Sequence, residues 1–542
     1  MKSRGFAATD MAGFLEPDFE LSLYDPFRLP DMKKAVKRIE QAIKTQQTIV
    51  IYGDYDIDGL TASSLLLDGL KSFGATASVY IPDRFEEGYG LNRDALMHLR
   101  ADGADLVVTV DCGITSADDI AAAHADGLDI IVTDHHNPPE HLPTEAIALI
   151  NPKLPNSTYP FVELAGVGVA FKLICALQAH LPGRLAKGQE KWLLDLVALG
   201  TVCDVVPLVG ENRTLVLFGL RVLAKSRRVG IRALAEASGS NLGLINSSDL
   251  GFRLGPRLNA AGRLTHANMA LELLTTSDAP RARALTAELN LLNSQRQEQT
   301  AKIVQEASEQ AKQYSNDMIL VLADKDWSHG VVGIAASRVA ETFGKPAIIL
   351  QIQGETAKGS ARSVGSFNII EAISSAANLL EKFGGHHFAA GLTIKTTHIN
   401  EFRLQVNQYA QKIIKPADLT QTIDIDLLLD GDEGLTLEAA SNLQRLQPYG
   451  NENREPVIAS QLKLRSYKPI GSDLKHLKLQ FASSQGRLVD GIAFSAAQKW
   501  DWLKPGQPVE VLYRLNINQW RGQTDLQLEV IDMVEAASSS AD

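Results

Sequence analysis

The sequence predicts an α/β protein in which two α/β domains are joined by a long helix and followed by a C-terminal β-barrel. Apolar β-type runs alternate with helical stretches from residue 48 to about 205, and a second alternation of this kind covers 318–413. Several candidate strands with short polar turns follow within 420–535, which is typical of an oligonucleotide-binding barrel. Three such units also suit a chain of 542 residues, which exceeds what one hydrophobic core supports.

The first domain is expected over residues 1–265. Apolar residues at helical spacing predict a helix over 31–45, and the β-type run at 48–52 predicts the first strand. Helical stretches such as SADDIAAAHADG and GVGVAFKLICALQAHL then separate further β-type runs. This alternation predicts βαβ units and therefore a parallel sheet.

The rest of the chain divides into three structured segments and a tail. Residues 266–315 are rich in Ala, Leu, Glu and Gln, and they predict a connecting helical region. The second α/β domain is expected over 316–415 and the barrel, of the oligonucleotide-binding (OB) type, over 420–535. The tail 536–542 contains only Ala, Ser and Asp and is predicted to be disordered.

The composition is ordinary for a globular protein, with 45% apolar and 22% charged residues. No apolar stretch reaches the roughly 18 residues of a membrane span, and the first residues lack the apolar core of a secretory signal. We therefore expect a cytoplasmic protein that has no membrane partner. Only three cysteines occur, which argues against a disulfide framework.

The net charge of −11 argues at first against a nucleic-acid partner, because phosphate contacts need Lys and Arg. The charge is unevenly distributed, however. Residues 251–266 hold three arginines and no acid, and residues 462–479 hold five Lys or Arg against one Asp. These segments are either solvated faces or local surfaces that bind phosphate, and the Gly, Pro and Asn between the arginines favour the second interpretation for 251–266.

Acidic and imidazole side chains occur in four places, each of which is predicted to follow a strand. They are Asp54, Asp56, Asp58, Asp111, Asp134, His135, His136 and Asp204. One Asp after a strand often caps a helix or forms a turn, so a single cluster favours a structural role. Four such places favour a site, because ligands of open α/β sheets bind at the carboxyl ends of the strands.

The clustered carboxylates predict a metal centre. Carboxylates that converge on one cleft repel each other, so they imply bound cations. Oxygen ligands together with one or two imidazoles favour Mg²⁺ or Mn²⁺. A site with so many acids can hold two ions with one carboxylate between them, and metal pairs of this kind hydrolyse phosphoryl compounds.

These motifs, taken together, resemble those of a known family. YGDYDIDG, DCG, TDHH and CDVVPL resemble the four motifs of the DHH phosphoesterase superfamily, and GVVGIAASR, KGSARS and GGHHFAAG resemble its second, DHH-associated domain. RFEEGYGLN at 84–92, LGPRLNAAGR at 254–263 and the barrel resemble the bacterial exonucleases of this superfamily that are specific for single-stranded DNA. The resemblance spans nearly the whole chain.

The resemblance implies a role for each residue of the acidic clusters. Asp111 would bridge two Mn²⁺ or Mg²⁺ ions, His136 would contact the scissile phosphate, and Asp134 would orient the histidines. The implied metal ligands are Asp54, Asp56, Asp58, Asp111, His135 and Asp204.

A second group of residues is expected to bind the nucleic acid. In RFEEGYGLN, Arg84 could hold a phosphate, Tyr89 could stack on a base and Asn92 could donate a hydrogen bond. The arginine and the small residues of KGSARS and FGGHHFAAG suit close approach to an anion. We expect further phosphate or strand contacts from Arg257, Asn259, Arg263, His329, Ser360, Arg362, Ser363 and His386.

The resemblance implies an enzyme that degrades single-stranded DNA from its 5′ end, releasing 5′ mononucleotides by two-metal hydrolysis in DNA repair and recombination. A single-strand-binding protein and a helicase are further expected partners. Two alternatives are a phosphodiesterase or pyrophosphatase for small substrates and a scaffold without activity. The barrel favours a long substrate, and the presence of every implied metal ligand disfavours the scaffold.

Overall fold

The computed structural model describes most of the chain. The described residues are 1–84, 87–88, 90–415, 419, 422–432, 434–471, 473–520 and 522–536. Tyr89 and all but the first residue of the predicted disordered tail therefore lie outside the described residues.

The first domain is built on a parallel sheet of five strands in the order β2-β1-β3-β4-β5. β1 and β3, in its centre, are rich in Ile and Val and buried on both faces, as parallel strands covered by helices require. The elements are α1 (Ala8–Leu15), α2 (Met32–Lys44), β1 (Thr48–Gly53), α3 (Ile57–Ser72), β2 (Thr76–Tyr80), α4 (Arg93–Ala101), β3 (Leu106–Val110), α5 (Ala117–Ala125), β4 (Asp129–Thr133) and β5 (Ala148–Ile150).

Helices follow the sheet without further strands. A π-helical turn at Leu250–Leu254 leads directly into α11. The long connecting helix is α13, whose 35 residues begin after the N-cap Asp278. The helices are α6 (Gly166–His180), α7 (Leu194–Cys203), α8 (Gly210–Leu223), α9 (Val229–Ser238), α10 (Ser247–Asp249), α11 (Gly255–Leu264), α12 (Asn268–Thr275) and α13 (Ala279–Gln313).

The second α/β domain has a mixed sheet in the order β6-β7-β8-β10-β9, in which only β6 and β7 are parallel. Its core is separate from that of the first domain and is made chiefly of Ile, Leu, Ala and Phe side chains. The elements are β6 (Leu320–Asp324), α14 (His329–Phe343), β7 (Ala347–Gln353), β8 (Thr356–Arg362), α15 (Ile369–Ser374), β9 (Leu380–Gly385), β10 (Ala389–Lys395) and α16 (Ile399–Ile413).

The C-terminal unit is a closed barrel. Its strands follow the order β11-β12-β13-β14-β16-β15, and pairing of β12 with β15 closes the sheet. Burial alternates along β12 and β13, so every second side chain fills the interior. The elements are β11 (Leu427–Leu429), α17 (Leu437–Gln444), β12 (Ile458–Ile470), β13 (His476–Ala482), β14 (Leu488–Ala493), β15 (Pro508–Trp520) and β16 (Gln523–Glu535).

The predicted fold class is confirmed, with one local correction. VALGTV before Asp204 is not a strand but the last part of α7. The segment is apolar because α7 is buried almost all round, and a short buried helix and a buried strand show the same continuous apolar run. Within the described residues, no helix is both long enough and apolar enough to cross a membrane.

Candidate metal centre and phosphate-binding groove

The acidic clusters meet at the point where the strand order of the first sheet reverses. β1 and β3 are neighbours, while their following helices leave in different directions, which opens a crevice at their carboxyl ends. Asp54 directly follows β1 and Asp111 directly follows β3. Asp134, His135 and His136 follow β4, the next strand in the sheet.

The first motif forms a tight turn that leads from β1 into α3. Asp56 is the N-cap of α3, where its Oδ1 accepts a hydrogen bond from Gly59 N at 3.1 Å, and Asp58 lies in the first helical turn. A Cβ on Gly59 would lie 2.4 Å from Asp54 O, so only glycine permits this packing. The helix geometry, and not strand alternation, brings the three carboxylates together.

Asp58 also anchors a second helix. Its Oδ2 and Oδ1 accept hydrogen bonds from Gly166 N at 2.6 Å and Val167 N at 2.9 Å, at the start of α6. A carboxylate is favourable there because the first N–H groups of a helix have no partner within the helix. Asp58 therefore holds α6 against the metal centre. Each of its carboxylate oxygens keeps a second lone pair that can bind a cation.

Asp111 has the backbone conformation of a constrained site residue. Its φ is +62°, in the left-handed region that non-glycine residues seldom adopt. Its amide donates to Thr133 O at 3.1 Å. Gly166 packs closely against it, since a Cβ on Gly166 would lie 2.7 Å from the Cβ of Asp111. The Asp111 carboxylate is thus fixed at the centre of the cluster by the carboxyl ends of β3 and β4 and by the start of α6.

His135 lies among the carboxylates. Its Nε2 is 3.1 Å from Asp111 Oδ1, 3.6 Å from Asp204 Oδ2 and 3.9 Å from Asp58 Oδ2. Asp204, at the end of α7, thus reaches the same crevice as the strand-end residues, although a helix delivers it.

The side chains fall into groups whose potential ligand atoms all lie within 4.8 Å of one another. One group comprises the acids Asp54, Asp56 and Asp111. The others contain imidazoles and comprise Asp58, His135 and Asp204, and Asp111, His135 and His136. Asp111 is shared by the acidic group and the group with both histidines, and His135 is shared by the two groups that contain imidazoles, so the three groups form one continuous cluster that is large enough for two ions.

Several buried polar atoms of the cluster have no hydrogen-bond partner within the described residues. They are Asp54 Oδ1, Asp111 Oδ1, Asp204 Oδ2 and both ring nitrogens of His135. Buried polar atoms without partners are costly, and here they all face one another. Oxygen and imidazole donors without partners fit divalent cations such as Mg²⁺ or Mn²⁺.

The electrostatics of the cluster support the same interpretation. Burial, and then the charges of neighbouring carboxylates, raise the pKa values of Asp54, Asp111 and Asp204 well above the ordinary range. Burial raises the pKa of Asp58 to about 7, and burial lowers the pKa of His135 to about 3, which keeps its ring neutral. A neutral imidazole and acids that lack compensating charge suit cation binding.

His136 and Asp134 form a pair beside the cluster. His136 Nδ1 is 2.8 Å from Asp134 Oδ1, which also accepts from the backbone amides of His135 and His136. Burial alone would lower the pKa of His136, but the hydrogen bond and charge of Asp134 outweigh burial and raise it. Asp134 thus holds the ring in one orientation, as the resemblance implied, and His136 keeps a proton to higher pH.

Arginines of the first domain, the connecting helix α13 and the second domain lie next to the acidic cluster. Arg84, Arg263, Arg296 and Arg362 are all half-buried, and none of them forms an ion pair with another described residue. Burial, and then the charges of Arg84 and Arg296, lower the pKa of Arg263 to about 10. Clustered guanidinium groups without acidic partners fit phosphate oxygens. We call these four residues the arginine cluster.

The second domain meets the arginine cluster through β8 and α14. A Cβ on Gly333 of α14 would lie 3.2 Å from Arg362 Nη2 and 3.3 Å from Ser360 Oγ, so both side chains lie against this helix. His329 is the first residue of α14, and its buried Nδ1 has no hydrogen-bond partner within the described part of the chain. The phosphate roles of these residues remain predictions that the geometry fits.

Other residues of the predicted set have structural partners. Asn92 caps α4 by accepting from Ala95 N at 2.7 Å, and its Nδ2 donates to Glu87, while its hydrogen bond to the strand stays a prediction. The guanidinium of Arg257 donates to Asn290 and to the Arg253 carbonyl, which ties α11 to α13.

Two more residues of the predicted set belong to the second domain. Ser363 donates its hydroxyl to Phe367 O, and His386 is exposed in the turn between β9 and β10. Their phosphate contacts remain predictions. Asn259, in contrast, lines the groove described next.

A groove of about 1650 Å³ runs from the arginine cluster to the barrel. Arg263 and Arg296 line one part, and Arg514 and Asn516 of β15 line another. Phe252 also lines the groove, and 81% of its surface is exposed. The sequence predictions missed Arg296 and Phe252, although the run GFRLG, an aromatic residue beside arginine in the basic segment 251–266, was a usable signal.

Comparison with known proteins places these features in a family. Residues 48–201 match the DHH family, N-terminal domain, residues 316–412 match the DHHA1 domain, and residues 425–532 match the RecJ OB domain. The single-stranded-DNA-specific exonuclease RecJ of Dickeya dadantii is 39% identical over 93% of this chain and 91% of its own length. The chain belongs to the RecJ family.

Other RecJ proteins give the same result. RecJ of Bacillus subtilis is 39% identical over 98% of this chain, which covers 66% of that relative. The crystal structure of RecJ from Thermus thermophilus in complex with Mn²⁺ matches with a TM-score of 0.84 and 32% identity, over 99% of this chain and 75% of the other. The complex of the same protein with Mg²⁺ matches with a TM-score of 0.77. The family resemblance predicted from the motifs is confirmed.

Proposed function

We propose that this chain is an exonuclease that hydrolyses single-stranded DNA from the 5′ end and releases 5′ mononucleotides. The observation that carries the proposal is the juxtaposition of two clusters of opposite charge, which lie close enough for the charge of Arg84 to oppose the rise that burial causes in the pKa of Asp54. Buried acids and His135 have polar atoms without partners, and the arginine cluster beside them has no acidic partner within the described residues. The first cluster suits cations and the second suits the phosphates of a polyanion.

Two of these groups would hold two cations, and Asp111 lies beside both, since its Oδ1 is 3.1 Å from His135 Nε2. Asp54 and Asp56 would bind one ion, Asp58, His135 and Asp204 the other, and Asp111 both. Divalent ions at such a pair of sites supply hydroxide from bound water near neutral pH and neutralise charge on the phosphate. The RecJ complexes with Mn²⁺ and Mg²⁺ support either metal.

The protein's own side chains would bind and polarise the scissile phosphate. Asp134 holds His136 through Nδ1 and raises its pKa, so Nε2 of this ring would donate to a non-bridging oxygen. Arg362 and Ser360 lie side by side against α14, with Arg362 close enough to Arg263 to add to the effect of burial in lowering its pKa, and they would hold the terminal phosphate in place. Proton donation and charge neutralisation at one phosphate lower the barrier to attack on it.

The groove explains the preference for a long single strand. It leads from Arg263 and Arg296 past Phe252 to the barrel, so a strand bound at the arginine cluster would also reach the barrel. Stacking of an unpaired base on an exposed aromatic ring is independent of sequence. Bases paired in a duplex are not available for this contact, which favours single strands.

The direction of digestion, the place of the enzyme in DNA repair and recombination, and its cytoplasmic location are parts of the proposal that rest on family membership. The same holds for a single-strand-binding protein and a helicase as partners. The RecJ OB domain and the relatives named as specific for single-stranded DNA support a DNA substrate.

One oligonucleotide, labelled in turn at each end and used single- or double-stranded, tests the proposal. With Mn²⁺ or Mg²⁺, the single strand labelled at its 5′ end should release labelled mononucleotide at once, and the 3′ label should be released last. EDTA should stop both reactions. Release from the 3′ end first, or equal digestion of the duplex, would contradict the proposal.

A further inference from the structure

The turn that carries Asp204 adopts an unfavourable backbone conformation. The Asp204 amide continues the hydrogen bonding of α7 to Gly200 O at 2.9 Å, and the next residue, Val205, turns the chain away with a φ of +62°. This left-handed conformation is strained for a β-branched residue. The side chain of Val205 is largely exposed, so apolar packing does not hold it there.

A residue of the barrel unit holds this turn. Asn451 Nδ2 donates to Val205 O at 2.9 Å, and Leu208 N donates to Asn451 O at 2.8 Å. The side chain and the backbone of one residue therefore bracket the segment 205–208, which leads from the metal centre to α8.

Asn451 is itself held in a rigid loop. Gly450 and Asn453 exchange two backbone hydrogen bonds at 3.0 and 3.2 Å, and Asn453 Nδ2 donates to the Leu446 and Pro448 carbonyls. A Cβ on Gly450 would lie 2.5 Å from Leu208 Cδ1, so the loop packs directly on the segment it brackets.

The first domain contributes a second attachment for this loop. The buried side chain of Arg213 on α8 donates to Gln447 O at 2.7 Å and also to the Phe14 carbonyl in the N-terminal segment. The loop that carries Asn451 therefore contacts the first domain at a second point, through Arg213 as well as through the segment 205–208.

We propose that Asn451 is a positioning residue for the metal centre and that it couples docking of the barrel to the placement of Asp204. Without its hydrogen bond, Val205 relaxes from the left-handed conformation, and α7 either unwinds at Asp204 or continues past it. Asp204 Oδ2, now 3.6 Å from His135 Nε2, then leaves the place where it can share a cation. This inference rests on the metal site of the proposed function.

Titration of the full-length protein with Mn²⁺, followed by calorimetry and by the electron paramagnetic resonance of the free ion, tests the coupling. Asn451→Ala should weaken the binding of one of the two ions about three- to tenfold, the range that a single hydrogen bond supports. The matched control is Asn442→Ala, an exposed residue of α17 in the same unit, which should bind Mn²⁺ like the wild type.

A rescue variant separates positioning from a general loss of structure. Glycine adopts a φ of +62° without strain, so Val205→Gly should keep the turn even without Asn451. The double variant Asn451→Ala with Val205→Gly should therefore regain the affinity that Asn451→Ala loses.

Unchanged Mn²⁺ affinity in Asn451→Ala, or a loss that Val205→Gly does not restore, would overturn the positioning role. These outcomes differ from failure of the proposed function itself. In that case the wild type would bind no Mn²⁺ at the cluster, and its affinity would equal that of Asp111→Ala.

Discussion

The metal centre of the first domain and the phosphate-binding face of the second domain differ in how they are held. Asp54, Asp111 and His135 are buried and keep polar atoms without partners among the described residues. Arg362 and Ser360 of β8 extend from a strand that is hydrogen-bonded on both sides, to β7 and β10. The first region therefore depends on its cations for electrostatic balance, whereas the second is formed by the protein alone.

This difference predicts that substitutions in the two regions fail in different ways. Loss of a cluster carboxylate should remove metal binding and the chemical step together. Loss of an arginine should weaken DNA binding and leave the metal affinity intact. Substitutions at individual residues test this division, and those with the strongest consequences come first.

Asp111→Ala should abolish nuclease activity, because this carboxylate belongs to two of the ligand groups. Removal of a shared ligand eliminates both the nucleophile and the charge neutralisation that a metal pair supplies. Single-turnover digestion and Mn²⁺ calorimetry measure the loss, with Asp118→Ala, an exposed acid on α5, as the control. Activity with Mn²⁺ in Asp111→Ala would show that the site lies elsewhere.

His136→Ala should lower kcat on the order of 10²- to 10³-fold, the loss typical of one group that stabilises charge in the transition state. Its Mn²⁺ affinity should change little, because His136 is 39% exposed at the edge of the cluster. Steady-state kinetics and calorimetry check both statements, with the exposed His141→Ala as the control. A variant that loses one ion completely would make His136 a metal ligand.

Arg362→Ala should reduce kcat/KM about 10²-fold, chiefly through KM, with Mn²⁺ affinity unchanged. The guanidinium lies in the arginine cluster and has no ion pair within the described residues, so its removal leaves no acid without a partner. Arg283→Ala on the exposed face of α13 is the control. If Arg362→Ala also lost Mn²⁺ binding, the two regions would not be separable.

Reversing two barrel charges, Lys463→Glu with Lys468→Glu, should weaken binding of long single strands. Both side chains are exposed on β12, and each single-strand phosphate that is no longer neutralised reduces the salt slope by about 0.7. The same reversal at Lys33 and Lys37 of α2 is the control for net charge. An equal change of DNA affinity and salt slope in both pairs of variants would mean that the barrel surface does not contact the strand.

Removal of metal should destabilise the protein more at alkaline than at acidic pH. A carboxyl whose folded pKa is raised favours the folded state only while protonated. Its contribution is fully present below its unfolded pKa, about 4. It is lost as the pH rises through the folded pKa, which is about 7 for Asp58.

The measurement is thermal unfolding in EDTA and in Mn²⁺, at about pH 5 and about pH 8. The difference between the unfolding midpoints in EDTA and in Mn²⁺ should widen by a few degrees at the higher pH. Each kcal/mol of lost unfolding free energy lowers the midpoint on the order of 2–4 °C. A difference that is the same at both pH values would show that the buried acids do not depend on cations.

Local sequence patterns were sufficient to predict the fold class and most of the site. Runs such as LVVTV identified the buried parallel strands, and Asp54, Asp111 and His135 could be placed at their carboxyl ends because the ends of parallel strands share one edge of a sheet. The barrel was predicted from several candidate strands separated by short polar turns, a pattern that is local in the sequence.

The contacts of the other site residues depend on the packing of segments that are distant in the chain. Asp204 arrives from a helix, Asn92 serves as a cap, and Arg296 on the long helix joins the arginine cluster. Asn451 meets Val205 from 246 positions away in the chain. Local periodicity carries no information on such contacts, since these depend on how whole domains pack, and that packing is decided by the sum of many weak interactions.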